Sequence, residues 1–245
     1  MNSKITTIIF DYGGTLDTNG VHWSEKFWEA YQYFNIPISK EEFKNSYQYS
    51  EQNAQMIITP DSSLVETYVS QLYFQIKYLE KKNLLSGAFN SIIDELAEYC
   101  HRSVTNNIKK SKIIIEGLLN KYSLLVVSNY YGNLSTVLNE IGLKNYFTSI
   151  IDSKVVRIRK PDPKIFSLAL NSVNSHPYET IVVGDSYTND ILPSKQIGCK
   201  TVWLKNKNWE IPTSTESADA IINSLDEIEE TINRISNINR GEKNE

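Results

Sequence analysis

The sequence has only two cysteines, Cys100 and Cys199, and they do not stand at a metal-binding spacing. That sets aside a cysteine-built metal centre and leaves two free thiols, as expected in a reducing compartment. Cys199, in Gly198-Cys199-Lys200-Thr201, reads as a small buried thiol ahead of a strand. No apolar run approaches the roughly 20 residues that cross a bilayer. Met1-Asn2-Ser3-Lys4 leads straight into a strand-like run too short for a signal segment. A basic excess is missing too: 25 Lys and Arg stand against 29 Asp and Glu, net −4, with the signs interspersed. Nucleic acid is therefore not an expected partner. Internal repeats and low-complexity tracts are absent as well. The expectation is a soluble, cytoplasmic protein that engages neither nucleic acid nor membrane.

What is present is enough for a folded body. A chain of 245 residues, 40% of them apolar, makes one large domain or a core carrying an insert. Ile5 to Phe10 is a β-branched apolar run that ends in Asp11 and the tight turn Gly13-Gly14. The same grammar recurs at Leu124–Val127 before Ser128-Asn129, and at Ile181–Val183 before Gly184-Asp185. Thr201–Leu204 is a fourth run and Ala220–Ile222 a weaker fifth. Continuous apolar strands separated by helical stretches predict an α/β fold, a parallel sheet with helices on both faces. Ligands of such sheets bind at the carboxyl ends of the strands, where Asp11, Ser128 and Asp185 all stand.

Residues 17–111 have another character. Trp23–Phe34, Lys40–Tyr49, Leu64–Glu80 and Phe89–Asn106 read as amphipathic helices, and Ser39 with Glu42 has the form of a capping box. Trp23, Phe27, Trp28, Tyr31, Tyr33, Phe34 and Tyr47 are expected to pack the interior of this helical unit, an aromatic wall facing a substrate being the lesser alternative. The block falls between the first and second strands, so it reads as an all-helical insert into a core made of residues 1–16 and 112–245. The polar tail Asn237–Glu245 is expected to fray.

Alone, an Asp before Gly-Gly is equally a turn residue. Four segments taken together say more. Ile8-Ile9-Phe10-Asp11-Tyr12-Gly13-Gly14-Thr15-Leu16, Val126-Val127-Ser128-Asn129, Lys160-Pro161-Asp162-Pro163 and Val183-Gly184-Asp185-Ser186-Tyr187-Thr188-Asn189-Asp190 resemble, in order, the four motifs of the haloacid dehalogenase superfamily. The resemblance covers roughly residues 5–18 and 116–225. It implies a Rossmann-like core and makes the insert a variable helical cap. It also implies a phosphatase-like hydrolase in which Asp11 is the nucleophile, Ser128 donates to a phosphoryl oxygen and Lys160 supplies positive charge. Gly14 and Asn129 would contact the substrate, a small phosphorylated metabolite. Mg²⁺ would be held by Asp11, Asp185, Asp190 and the backbone carbonyl of Gly13. For Asp190, a surface or helix-capping role is an equal alternative.

One position departs from the pattern. Phosphatases of the family usually carry a second Asp two residues after the nucleophile, which protonates the leaving oxygen; here that place is Gly13. A positioned acid is worth about 10²–10⁴-fold. Its loss leaves a substitute acid, a substrate with a good leaving group or a slow enzyme; the alternatives to a phosphatase are dehalogenase chemistry, phosphonate cleavage through a cap lysine (Lys26, Lys40 or Lys44), or a phosphate-binding regulatory module with little turnover. Asp17 and His22 are the nearest substitute acids, and both are expected to be structural, with Asp17-Thr18-Asn19-Gly20 forming a turn.

Overall fold

A computed structural model describes residues 4–208 and 215–241. The chain begins with strand β1 (Thr7–Phe10) and a wide turn at Tyr12–Leu16. Four helices follow: α1 (Trp23–Tyr33), α2 (Lys40–Asn53), α3 (Leu64–Lys81) and α4 (Ile93–Leu118). Strand β2 (Ser123–Ser128), helix α5 (Leu134–Glu140), strand β3 (Ser149–Asp152) and the short α6 (Ser153–Val156) come next. The rest is α7 (Lys164–Ser172), β4 (Thr180–Gly184), a second wide turn at Tyr187–Ile191, α8 (Leu192–Gln196), β5 (Lys200–Leu204), β6 (Ala220–Ile222) and α9 (Ile228–Gly241).

The strands form one parallel sheet in the order β3-β2-β1-β4-β5-β6. The strand order turns back at β1, which opens a crevice at the carboxyl edge there. Phe10 is level with Val126 on one side and Val183 on the other. The residues that follow these strands therefore emerge together.

Strand side chains alternate between two apolar layers. Ile8, Phe10, Val126 and Val183 join a core that continues into α4, α9 and the cap, while Ile9, Val127 and Val182 pack on Ile165, Phe166 and Ala169 of α7. Both faces are covered, which is why these strands read as unbroken apolar runs. Each fully buried aliphatic side chain contributes about 1.5–3 kcal/mol.

The insert is helical, as expected, and the capping box at Ser39 and Glu42 is present, with a second at Ser63 and Glu66. Phe27, Tyr31, Phe43 and Tyr68 interlock inside it, Tyr31 and Phe43 with ring centroids 4.9 Å apart. Tyr33 departs from that expectation: it is 66% exposed and stacks on Tyr99.

Two elements differ from the sequence reading. β3 was not expected, because only Ile150 and Ile151 lie between its polar ends, and an edge strand needs no longer apolar run. Helix α4 runs past Asn106 to Leu118, so the expected boundary at 111–112 falls inside a helix. Buried Ile108, Ser111, Ile115 and Leu118 continue its apolar stripe and dock it on the core. At the other end α9 reaches Gly241, and residues 242–245 of the tail expected to fray lie outside the described residues. Cys100 and Cys199 are buried and unbridged, and burial pushes both thiols up to about 12. Among the described residues no helix is long and apolar enough to cross a membrane.

Candidate active site

Asp11 follows the last residue of β1, and its amide is anchored on Val183 O at 2.9 Å. Its carboxyl is 5% exposed and faces the crevice. Oδ1 accepts from Ser128 Oγ at 3.0 Å and from Lys160 Nζ at 2.6 Å. Ser128 ends β2, and no helix starts there for it to cap. Lys160, 4% exposed, also donates to Asp190 Oδ1 at 2.6 Å and to Val127 O at 3.1 Å. Burial alone would lower the Lys160 pKa, but the carboxylates of Asp11 and Asp190 outweigh it and hold the ammonium charged.

Asp185 and Asp190 come from the end of β4 and the wide turn after it. Asp190, 1% exposed, is no surface residue: its Oδ2 accepts from Ser186 N at 3.0 Å. One oxygen each of Asp11, Asp185 and Asp190 lies within 4.8 Å of the others. Burial, with the Asp11 and Asp190 charges added, raises the Asp185 carboxyl well above the usual range. Burial also raises Asp190, to about 6, against the pull of Lys160. Asp185 Oδ2 is buried and has no hydrogen-bond partner among the described residues. Crowded carboxylates with an unsatisfied oxygen are the donor set of a hard divalent cation.

Two glycines permit this crowding. A methyl group at Gly14 would lie 2.5 Å from both Asp185 carboxyl oxygens, and φ there is +96°. At Gly184 it would lie 2.3 Å from Asp190 Oδ2. The Gly14 amide donates to Asp17 Oδ1 at 2.8 Å, so it is already bonded inside the protein. The Asn129 side chain is committed as well. Its Oδ1 accepts from Lys160 N at 2.9 Å and its Nδ2 donates to Lys160 O at 3.0 Å, which fixes the lysine backbone. Of the amides after it, Tyr130 N is bonded to Ser153 Oγ and Gly132 N to Asp152 Oδ2. In this structure the Gly14 amide and the Asn129 side chain each hold a neighbouring part of the site in place.

Sequence reasoning missed several neighbours. Thr15 Oγ1 lies 3.2 Å from Asp11 Oδ2 and 3.3 Å from Asp185 Oδ1, and accepts from Asp185 N at 3.1 Å. Its place four residues after Asp11, across one wide turn, is the signal that could have found it. Asp17 does sit in a turn, but it is buried and lines the crevice. Burial raises its carboxyl to about 7, while bonds from Trp23 and Gly14 oppose the shift. His22 caps α1, its Nδ1 accepting from Ser24 N.

The cavity above these groups, about 130 Å³, lies between core and cap. Trp23, Tyr47 and Tyr68 form part of its wall, so the aromatic cap faces the crevice in part. Among the described residues no cap lysine lines it; Lys26 is paired with Glu29 and Lys40 with Glu25.

Similarity to known proteins follows the same frame. Residues 8–204 match the family model of the haloacid dehalogenase-like hydrolases. The chain is 35% identical over 103 residues to haloacid dehalogenase-like hydrolase domain-containing protein 3 of Danio rerio, covering 42% of this chain and 43% of that one. It is 38% identical over 94 residues to glyceraldehyde 3-phosphate phosphatase of Pyrococcus furiosus, covering 38% and 39%. These matches thus span less than half the length of either relative. A pyrimidine 5'-nucleotidase of Escherichia coli is 27% identical over 158 residues, covering 63% and 68%. Among solved structures, an L-2-haloacid dehalogenase superposes with a TM-score of 0.63 at 16% identity, over 94% of this chain and 100% of that one. A HAD hydrolase of Bacillus subtilis bound to magnesium does so with a TM-score of 0.58 at 18% identity, over 94% and 100%. At such identities the structures share the fold alone. With four-fifths of its length matched by the family model, and its four motifs converging on one crevice, this chain belongs to the haloacid dehalogenase-like hydrolases.

Proposed function

We propose that the chain is a Mg²⁺-dependent phosphatase of small phosphate monoesters that works through an aspartyl-phosphate on Asp11. The observation that carries this reading is the gathering of Asp11, Asp185 and Asp190 within 4.8 Å around the single ammonium of Lys160. Three buried carboxylates against one cation leave negative charge that needs a further cation. The unpartnered Asp185 Oδ2 supplies an oxygen ready to bind it. Asp11, Asp185, Asp190 and the carbonyl of Gly13 would hold the metal, which when bound screens the repulsion between nucleophile and phosphate dianion. The names of two relatives, a phosphatase and a nucleotidase, support a phosphorylated small molecule as substrate.

The residues then divide the work. Lys160 and Ser128 hold the Asp11 carboxylate in place and aimed. The carboxylate attacks phosphorus, the bond to the leaving oxygen breaks, and that oxygen takes a proton. Water next attacks phosphorus, releasing phosphate and restoring Asp11. Lys160 and Ser128 also stand ready to bind the phosphoryl oxygens. Gly13 brings no acid to the leaving oxygen, so the first step favours good leaving groups. The test is turnover of an aryl phosphate with Mg²⁺, with EDTA, and by Asp11→Asn. Activity that requires the metal and disappears in the variant supports the reading. Activity on haloacids that persists in EDTA would replace it with dehalogenase chemistry.

A further inference from the structure

We propose that Glu51 selects the leaving group, favouring phosphate esters of small alcohols that carry an ammonium or hydroxyl donor and rejecting those that carry a carboxylate. The proposal rests on the phosphatase reading above and names the substrate class within it. Glu51 lies in the last turn of α2 and lines the same cavity as Asp11 and Lys160. One of its oxygens is fixed from two directions: Oε1 accepts from Tyr131 Oη at 2.6 Å and from Gln71 Nε2 at 2.8 Å. Gln71 Nε2 also donates to Tyr131 Oη, which closes the triangle between cap and core.

The other oxygen, Oε2, has no partner among the described residues, and no lysine, arginine or histidine there forms an ion pair with Glu51. A carboxylate held in place, half-buried and without an ion-pair partner attracts a donor and repels a second carboxylate. Arg159 is exposed at the rim of the cavity and precedes Lys160 in the chain, so its charge adds to the field that draws in the phosphate dianion. A space of about 130 Å³ suits an alcohol of few heavy atoms.

The experiment compares kcat/KM for phosphoethanolamine and glycerol phosphate with that for 2-phosphoglycolate, using the full chain with Mg²⁺. The wild type should favour the donor-bearing esters by at least about tenfold. Glu51→Gln removes the charge while keeping an acceptor for Tyr131 and Gln71, and should collapse that ratio towards unity. Tyr131→Phe breaks the cap–core bond but keeps the charge, and should lower turnover of all three esters alike with the ratio preserved. Equal turnover of 2-phosphoglycolate by the wild type overturns the proposal. So does a ratio that Tyr131→Phe moves as far as Glu51→Gln, since Glu51 would then serve only to close the cap. If aryl phosphate is not hydrolysed either, the phosphatase reading itself fails and takes this proposal with it. Aryl phosphate turnover without the expected ratio defeats this proposal alone.

Discussion

Trp23 Nε1 donates to Asp17 Oδ2 at 2.7 Å, and the other oxygen of that carboxyl accepts from the Gly14 amide at 2.8 Å. The first residue of the cap helix is thus bonded, through one buried carboxyl, to the peptide that follows Gly13. The same indole covers the place where the family acid would stand: a methyl group at Gly13 would lie 3.7 Å from Trp23 Cδ1. That is ordinary contact, so the space admits a side chain.

Gly13 has φ −76° and ψ 117°, a conformation open to any residue. Gly13→Ala should therefore fold with stability within about 1 kcal/mol of the wild type, by chemical denaturation. Gly13→Asp should also fold, and should speed alkyl phosphate turnover by about 10²-fold or more as the carboxyl assists both steps. In rapid-quench measurements the wild type should give a burst with aryl phosphates followed by slow turnover, and Gly13→Asp should abolish the burst. If the folded Asp variant changes neither step, another group already moves the proton, and Asp17 is the first to examine.

One residue further on the outcome reverses. Gly14→Ala forces a methyl group to 2.5 Å from the Asp185 carboxyl, at a φ of +96°. It should cost about 2 kcal/mol or more and abolish Mg²⁺ binding, read by denaturation and by calorimetric titration. Wild-type Mg²⁺ affinity in this variant would show that Asp185 is not held by that close approach.

Lys160→Met should destabilise by about 3–5 kcal/mol at pH 8, because it strips the buried ammonium from between Asp11 and Asp190. At pH 5 the loss should be smaller, since the carboxylates left behind take up protons. Equal losses at the two pH values would mean that these carboxylates are not what the lysine balances.

The metal-free protein should lose stability as pH rises from about 4 to about 6. Burial pushes the Asp190 carboxyl up to about 6 in the folded protein and raises Asp185 as well. Over that window the folded state holds more protons than the unfolded state, so raising the pH favours unfolding. Mg²⁺ competes with those protons, and its gain in Tm should be small at pH 5 and full at pH 7.5. A gain that does not vary with pH would place the ion elsewhere.

Much of the fold was legible because strand runs and amphipathic helices write their burial into local residue order. β1, β2, β4, β5 and β6 lie where their apolar runs do, and Ser39 with Glu42 caps α2 as the spacing requires. β3 escaped because two isoleucines at a sheet edge carry little local signal. The far end of α4 escaped because Asn106 and Asn107 are poor helix formers, and only docking of Ile115 and Leu118 on the core carries the helix past them.

Local residue order was enough to specify a parallel sheet with a helical insert and to put Asp11, Ser128 and Asp185 at strand ends, since strand periodicity and turn chemistry are local properties. Which polar groups remain available for chemistry depends instead on how distant segments pack together. That both ends of the Asn129 amide hold the Lys160 backbone, 31 residues away, is visible only in the folded chain. Asp17 looked like an ordinary turn residue until the cap placed Trp23 against it and burial raised its carboxyl to about 7. Glu51 carried no motif at all, and its charge bears on the crevice only because α2, α3 and the loop after β2 meet there. Hydrogen-bond partners and burial are long-range properties, so the free charges of this site could be read only once the chain had folded.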